Sequence, residues 1–196
     1  MPIITSVHAA GYLNDGTILA DVQFDGATNA DGTPTYISIT VTDDNDGPDA
    51  QLLAAIKEKS PLTVPEHILE AAKRTKRAEI NIWRDKQENA DYIFSFNNHK
   101  WDYGKATQER MSISLAIARR NALPAGFAWT DGDNNIVPMD NAGLIALATA
   151  IEQAMFEKGM QINLRQLQMK TEVEALTTLD AIRNYRVDWT DDNGSR

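Results

Sequence analysis

The sequence of 196 residues contains no cysteine. Thiolate catalysis, disulfides and cysteine-ligated zinc all require this residue, so those classes of chemistry are excluded. The sequence also lacks an uninterrupted apolar run of about 18 residues, and we therefore predict no membrane span. Its first residues, Met-Pro-Ile-Ile-Thr-Ser, show no basic segment followed by a long apolar one, which predicts no signal peptide.

Positive charge is missing from the start of the chain. The first 50 residues contain no lysine or arginine, and residues 1–65 carry two lysines against nine carboxylates. The formal net charge of the whole chain is −9. An acidic surface repels phosphate, so we predict no nucleic-acid partner. The length suffices for one large domain or two small ones, each with its own core.

Alternating apolar residues predict an antiparallel sheet near the N-terminus. Ile18, Ala20 and Val22 share one face of a strand, and the Asn14-Asp15-Gly16 turn before it favours a hairpin over residues 3–24. Residues 36–42 alternate again and predict a third strand. A helix after Asp49 would cover the apolar face. We therefore predict that residues 1–61 form a small β-rich leader domain.

A long, mostly polar helix is predicted over residues 62–90, with a start at Thr63. Its middle is the basic run Lys73-Arg74-Thr75-Lys76-Arg77. These residues follow one another around the helix, so they do not gather on one side as an anion site would require. We predict a linker helix whose middle stays in contact with water.

Aromatic residues alternate in the next segment and predict a second hairpin. Tyr92, Phe94 and Phe96 would share one strand face, and Trp101 and Tyr103 would return on the other strand after an Asn97-Asn98 turn. Cross-strand aromatic pairs stabilise such hairpins. An aromatic strand can also stack nucleic-acid bases, but few basic residues flank this one, so a packed hairpin is favoured.

The helices of the C-terminal part follow from spacing and capping. Asp140 is placed to cap a helix whose apolar stripe is Leu144, Leu147, Ile151 and Met155. We predict that Gly159 interrupts this helix, and that a separate helix covers residues 161–176 with Ile162, Gln166, Met169 and Val173 on one face. Thr177 is predicted to cap a last helix.

Together these segments predict an α+β fold in four parts. A small N-terminal antiparallel β domain is followed by the linker helix and by a C-terminal module of β-hairpin plus helix bundle over residues 91–190. Residues 191–196 are predicted to be a mobile tail. Trp129, which leads into the Asp131–Asn135 turn, is predicted to anchor the core of the module.

No motif in the sequence predicts a catalytic, cofactor-binding or metal-binding residue. The Asp131-Gly-Asp133-Asn-Asn135 turn begins like a calcium loop, but Ile136 replaces the required glycine and Ala142 the closing glutamate. The three histidines lie far apart in sequence. Nucleophile elbows, phosphate loops and dinucleotide fingerprints do not occur. The residues alone therefore assign no catalytic residue and no cofactor, and carboxylate pairs of the glycosidase kind stay open because they come from distant segments.

Several short motifs lie between residues 82 and 187. The most specific piece is Trp129-Thr130-Asp131-Gly132-Asp133-Asn134 before Val137-Pro138-Met139. The other pieces are Trp83-Arg84-Asp85, Phe94-x-Phe96, Trp101-Asp102 and Gln108-Glu109-Arg110-Met111. In this order the pieces resemble a phage domain catalogued as domain of unknown function 4376, which recurs at the C-termini of tail-fibre and tail-fibre-assembly proteins.

The resemblance implies a non-enzymatic phage tail component that binds a tail fibre. It would act as an assembly chaperone or as a small structural protein, in the virion tail or in the host cytoplasm during assembly. The partner would be a tail fibre, another tail protein or a second copy in a homo-oligomer, with Trp83, Trp101 and Tyr103 as candidate contacts. The alternative is a receptor- or glycan-contacting tip module, in which Trp101, Tyr103 and Trp129 stack on sugars.

Overall fold

A computed structural model describes residues 3–190, and the predicted mobile tail over residues 191–196 lies outside them. The fold is α+β, as predicted. The chain forms two compact units, one of Met1–Lys76 with Leu176–Tyr185 and one of Arg77–Ala175 with Arg186–Arg196. Residues 176–185 thus group with the N-terminal unit, and the predicted domain boundaries stay a prediction. None of the helices formed by the described residues combines the length and apolarity that a membrane crossing requires.

The N-terminal unit is built on a three-stranded antiparallel sheet in the order β1-β2-β3. The strands are β1 (Ile4–Tyr12), β2 (Ile18–Phe24) and β3 (Ile37–Val41). Helix α1 (Ala50–Lys59) contributes Leu53 and Ile56, both fully buried, to the same core as Ile18 and Val22. The apolar alternation therefore predicted both the sheet and the helix that covers it.

The same unit also contains α5 (Leu179–Arg183), which buries Leu179 and Ile182. The cap of this helix is Thr178, whose side chain accepts a hydrogen bond from the Ala181 N–H at 3.3 Å. The prediction of Thr177 as cap was therefore wrong by one residue. Thr178 has the extended backbone that an N-cap requires, with φ −118° and ψ 145°.

The long helix predicted over residues 62–90 is confirmed as a single 23-residue helix, α2 (Glu66–Glu88), and its role as a linker stays a prediction. The helix begins at Glu66, three residues after Thr63. The predicted wet middle is wrong at Lys76, which is only 8% exposed. The Lys76 ammonium donates a hydrogen bond to the Arg183 carbonyl oxygen at 3.0 Å, which stabilises the buried charge.

The predicted aromatic hairpin opens the second unit as β4 (Tyr92–Phe96) and β5 (His99–Tyr103). Asn97 and Asn98 have φ values of 49° and 61°, as a two-residue hairpin turn requires. Helix α3 (Lys105–Ala118) follows. A short second hairpin, β6 (Ala128–Thr130) with β7 (Ile136–Pro138), contains the Asp131 turn.

A single 35-residue helix, α4 (Asn141–Ala175), replaces the two helices predicted around Gly159. The Asp140 cap is confirmed, because its Oδ1 accepts a hydrogen bond from the Gly143 N–H at 2.7 Å. The predicted interruption was wrong because one glycine costs a helix only about 1 kcal/mol. Side chains buried on both sides of Gly159 hold the helix together; they include Leu144, Leu147, Ile151, Ile162, Met169 and Val173.

Replacing Gly159 by alanine is expected to raise the free energy of unfolding by about 0.5–1 kcal/mol. Gly159 is exposed, and a Cβ added there meets no atom within 4 Å. The gain should appear as a higher urea midpoint with an unchanged slope. Gly126→Ala is the control and should destabilise, because Gly126 has a φ of +78°. A Gly159 variant no more stable than wild type would contradict the continuous helix.

Candidate protein-interaction surfaces

The three aromatic residues predicted as partner contacts lie inside the second unit. Trp83 is 8% exposed, Trp101 2% and Tyr103 7%. The Trp101 indole N–H donates to the Phe96 carbonyl oxygen at 2.9 Å, and Trp83 packs edge-on against Trp189 with ring centroids 5.1 Å apart. Their role as partner contacts stays a prediction. In this conformation each ring is occupied by packing within the chain.

Trp129 lies at the margin of the core rather than at its centre. It is half-buried, packs against the core cluster, and makes a tilted contact with Phe127 at 6.4 Å. The glycan-binding alternative needs this ring together with Trp101 and Tyr103 on one open face. Because those two are buried, the three rings do not form a stacking platform here.

The Asp131 turn uses its buried carboxylate to organise its own backbone. Oδ1 accepts from the N–H groups of Asp133 at 3.0 Å and Asn135 at 2.8 Å, and Oδ2 accepts from the Asn135 side chain at 3.1 Å. Nδ1 of His99 lies 2.9 Å from Oδ2. The hydrogen bond with His99 and those from the turn lower the pKa of Asp131 to about 2. These contacts give the carboxylate a structural role.

The Asp131 turn is also joined to the aromatic hairpin. The Gly132 N–H donates to the Lys100 carbonyl oxygen at 2.7 Å. A Cβ at Gly132 would lie 3.3 Å from that oxygen, so the close approach favours glycine. The residues described hold no group of three or more His, Asp or Glu side chains suited to a metal ion. The turn thus fastens β5 to the β6–β7 hairpin.

A groove of about 420 Å³ runs between α3 and α4, and we call it the α3–α4 groove. The two helices that form its walls bury side chains in one core, among them Met111 and Leu115 of α3 and Leu147 of α4. Its floor is apolar and its rim polar, an arrangement typical of protein interfaces. The floor residues are Met111, Leu115, Ala148 and Ile151, and the rim includes Gln108, Glu109, Ser112, Arg119 and Glu152.

A second apolar surface, the α4 stripe, runs along the solvent side of α4. It consists of Phe156, Met160, Leu164 and Leu167, which are 65%, 48%, 60% and 55% exposed. Their spacing of four, four and three residues places them on one helical face. The buried residues Ile162, Met169 and Val173 lie on the opposite face. Sequence reasoning identified only the buried face, although the spacing of the exposed one was equally readable.

Comparison with known proteins places the second unit in context. A family model described as Domain of unknown function (DUF4376) matches residues 71–194, well over half of the chain. The matched range contains the aromatic hairpin, the Asp131 turn, the α3–α4 groove and the α4 stripe. Neither the curated proteins nor the solved structures contain a match to the chain.

Proposed function

This chain belongs to the family described as Domain of unknown function (DUF4376), and from that premise we propose that it is a non-enzymatic phage tail component that binds a tail fibre. It acts as an assembly chaperone or as a small structural protein of the virion tail. The proposal is based on the resemblance of its aromatic hairpin, Asp131 turn and helices to modules at the C-termini of tail-fibre and tail-fibre-assembly proteins.

The observation that carries the proposal is the α3–α4 groove. Its volume of about 420 Å³ lies within the range of sites that accept a ligand-sized group. An apolar floor inside a polar rim favours a protein segment whose apolar side chains point inward. The rim carries two carboxylates, Glu109 and Glu152, and one guanidinium, Arg119. It can therefore form ion pairs with basic or acidic side chains of a bound segment.

The test is capture of a phage tail fibre after its co-expression with the tagged full-length chain. Wild type should retain the fibre. Ala116 is exposed and lines the groove, so Ala116→Trp should fill it and reduce capture at least about tenfold. Ala78 is an exposed alanine on α2, and Ala78→Trp is the matched control that should retain the fibre.

Each outcome of the capture experiment has a distinct meaning. Wild-type protein that fails to retain the fibre would overturn the proposed partner. Fibre retained equally by Ala116→Trp would place the contact outside the groove. Melting curves of both variants would show that the loss of capture is not a loss of fold. Mass spectrometry of purified virions then separates a resident tail protein from a chaperone that leaves.

A further inference from the structure

Three of the four residues of the α4 stripe lie in a part of the helix that has almost no charge; they are Met160, Leu164 and Leu167. Between Gly159 and Met169 the sole charged residue is Arg165, although 24% of the whole chain is charged. The Arg165 side chain is 9% exposed, and its Nε donates to the Asp188 carbonyl oxygen at 2.8 Å. The water-facing side of these three turns is therefore uncharged. Depletion of charge around an apolar centre is typical of a surface that a protein covers.

The stripe is nearly symmetric about its own midpoint, residue 162. Met160 and Leu164 lie two residues on either side of it, and Phe156 and Leu167 lie six and five residues away. A two-fold interface between identical chains uses the same patch on both copies, so the patch must match itself when reversed. Gln161 and Asn163 flank the midpoint, and an amide both donates and accepts, so each can pair with its own kind.

We propose that the α4 stripe docks against the α4 stripe of a second copy of this chain, with the two helices antiparallel and the two-fold axis at the level of Ile162. Met160 of each copy then packs against Leu164 of the other. Glu157 lies level with the apolar Leu167. The Phe156 ring lies level with Gln168 and about 3 Å along the axis from Lys170, whose long side chain can place its cation on the aromatic face.

The charge pattern selects the antiparallel arrangement over the parallel one. In a parallel pair every residue faces its own counterpart, and Glu157 would lie against Glu157 beside the stripe. Like charges placed face to face destabilise a contact. Reversing one helix removes that repulsion. It also brings the half-buried Lys170 of one copy close to Glu157 of the other, where the two opposite charges attract.

The exposed area is consistent with a second copy as the occupant. At roughly 150–250 Å² for a large aromatic side chain and somewhat less for the others, the stripe leaves on the order of 400 Å² of apolar surface open per copy. Two stripes together with their bordering amides reach roughly the 1,000 Å² that a specific interface needs. The α3–α4 groove is not used, so dimer and fibre contacts are independent.

The mass of the full-length protein in solution is the first test. At micromolar concentration wild type should weigh twice 21.7 kDa. Leu164→Glu places two carboxylates in the contact and should raise the dissociation constant of the dimer at least roughly 30-fold. Ile113→Glu is the matched control, because Ile113 is 71% exposed on α3 and lies outside the stripe. It should remain a dimer.

The absence of cysteine allows a second test of the geometry. Across the antiparallel axis two copies of residue 163 lie about 3 Å apart along the helix, and two copies of residue 153 about 27 Å apart. A short bismaleimide reagent should therefore link Asn163→Cys chains into dimers and leave Gln153→Cys chains unlinked. Cross-linking at both positions indicates a parallel pair and overturns the proposal. A monomeric wild type, a dimeric Leu164→Glu, or cross-linking at neither position overturns it as well.

Discussion

Replacing Trp101 by alanine is expected to lower the free energy of unfolding by about 3–5 kcal/mol. The side chain is 2% exposed and belongs to the core cluster of the second unit. On the β4–β5 hairpin it is the cross-strand partner of Phe94, and its indole N–H bonds to the Phe96 carbonyl. Truncation removes the ring, leaves a cavity and takes the indole donor away from the Phe96 carbonyl, and each of these changes destabilises the fold.

Urea unfolding followed by circular dichroism measures this loss of unfolding free energy, and two further variants serve as comparisons. Trp101→Phe keeps a ring in the cavity but lacks the indole donor, and should cost less than the alanine. Trp129→Ala removes the same kind of side chain from a half-buried position and should also cost less. If Trp129→Ala proves the more damaging of the two, Trp101 is not the main aromatic anchor of this unit.

Removing the Asp43 carboxylate is expected to cost the N-terminal unit about 2–4 kcal/mol. The side chain is 2% exposed and accepts a hydrogen bond from the Tyr12 hydroxyl at 2.8 Å. Its other partners are the Lys57 ammonium at 2.8 Å and the Arg183 guanidinium at 3.4 Å. Asp43→Ala leaves a hydroxyl and two cations without their shared acceptor.

The nearby exposed residue Asp46 provides the matched control for this variant. Asp46→Ala removes the same chemical group from a water-facing position, so its effect should stay near 0.5 kcal/mol or below. Thermal or urea unfolding of both proteins at neutral pH decides the question. Equal losses for the two variants would show that the Asp43 contacts contribute nothing beyond those of a surface carboxylate.

Lowering the pH should remove the stabilisation that the Asp43 carboxylate gives to the folded state. Burial by itself raises the pKa of this carboxyl, but the hydrogen bonds from Lys57 and Tyr12 and the nearby positive charges outweigh it, and the pKa is lowered. The folded pKa therefore lies below the unfolded value of about 3.9. The stabilisation is complete above the unfolded value and fades as the pH falls through the folded one. The stability gap between wild type and Asp43→Ala should shrink below about pH 4.

Local signals in the sequence were sufficient for the elements whose structure is decided locally. Two asparagines between aromatic strands predicted the β4–β5 turn, because asparagine tolerates the left-handed backbone that Asn97 and Asn98 adopt. Asp140 likewise caps the helix that starts one residue later. In both cases the deciding contacts span only a few residues.

Contacts between distant residues account for the predictions that failed. Lys76 can be buried because a carbonyl more than 100 residues away accepts a hydrogen bond from its ammonium group, and the sequence around Lys76 contains no sign of that partner. The low helix propensity of glycine predicted an interruption at Gly159. Buried side chains before and after it stabilise the helix by more than that propensity costs. Hairpin aromatics such as Trp101 can face water or core, and only packing decides which.

The two interaction surfaces differ in how far the sequence could have revealed them. The α4 stripe was readable, since Phe156, Met160, Leu164 and Leu167 recur at helical spacing, and Arg165 is the sole charged residue between Gly159 and Met169. The α3–α4 groove was not, because its floor combines Met111 and Leu115 with side chains of a helix more than 30 residues further along. A groove between helices requires knowledge of which helices pack together.

The way α5 completes the N-terminal unit has a consequence for biosynthesis. Arg183 reaches the backbone and carboxylate of Asp43, 140 residues earlier in the chain. At ribosomal speeds of roughly 5–20 residues per second, Asp43 and its sheet leave the ribosome on the order of ten seconds before their last partner has been made. A nascent chain that stops or is cleaved within α4 lacks the contacts of Arg183 with Asp43. Its N-terminal unit is therefore held by fewer contacts than in the finished chain, and local opening of that unit should be easier.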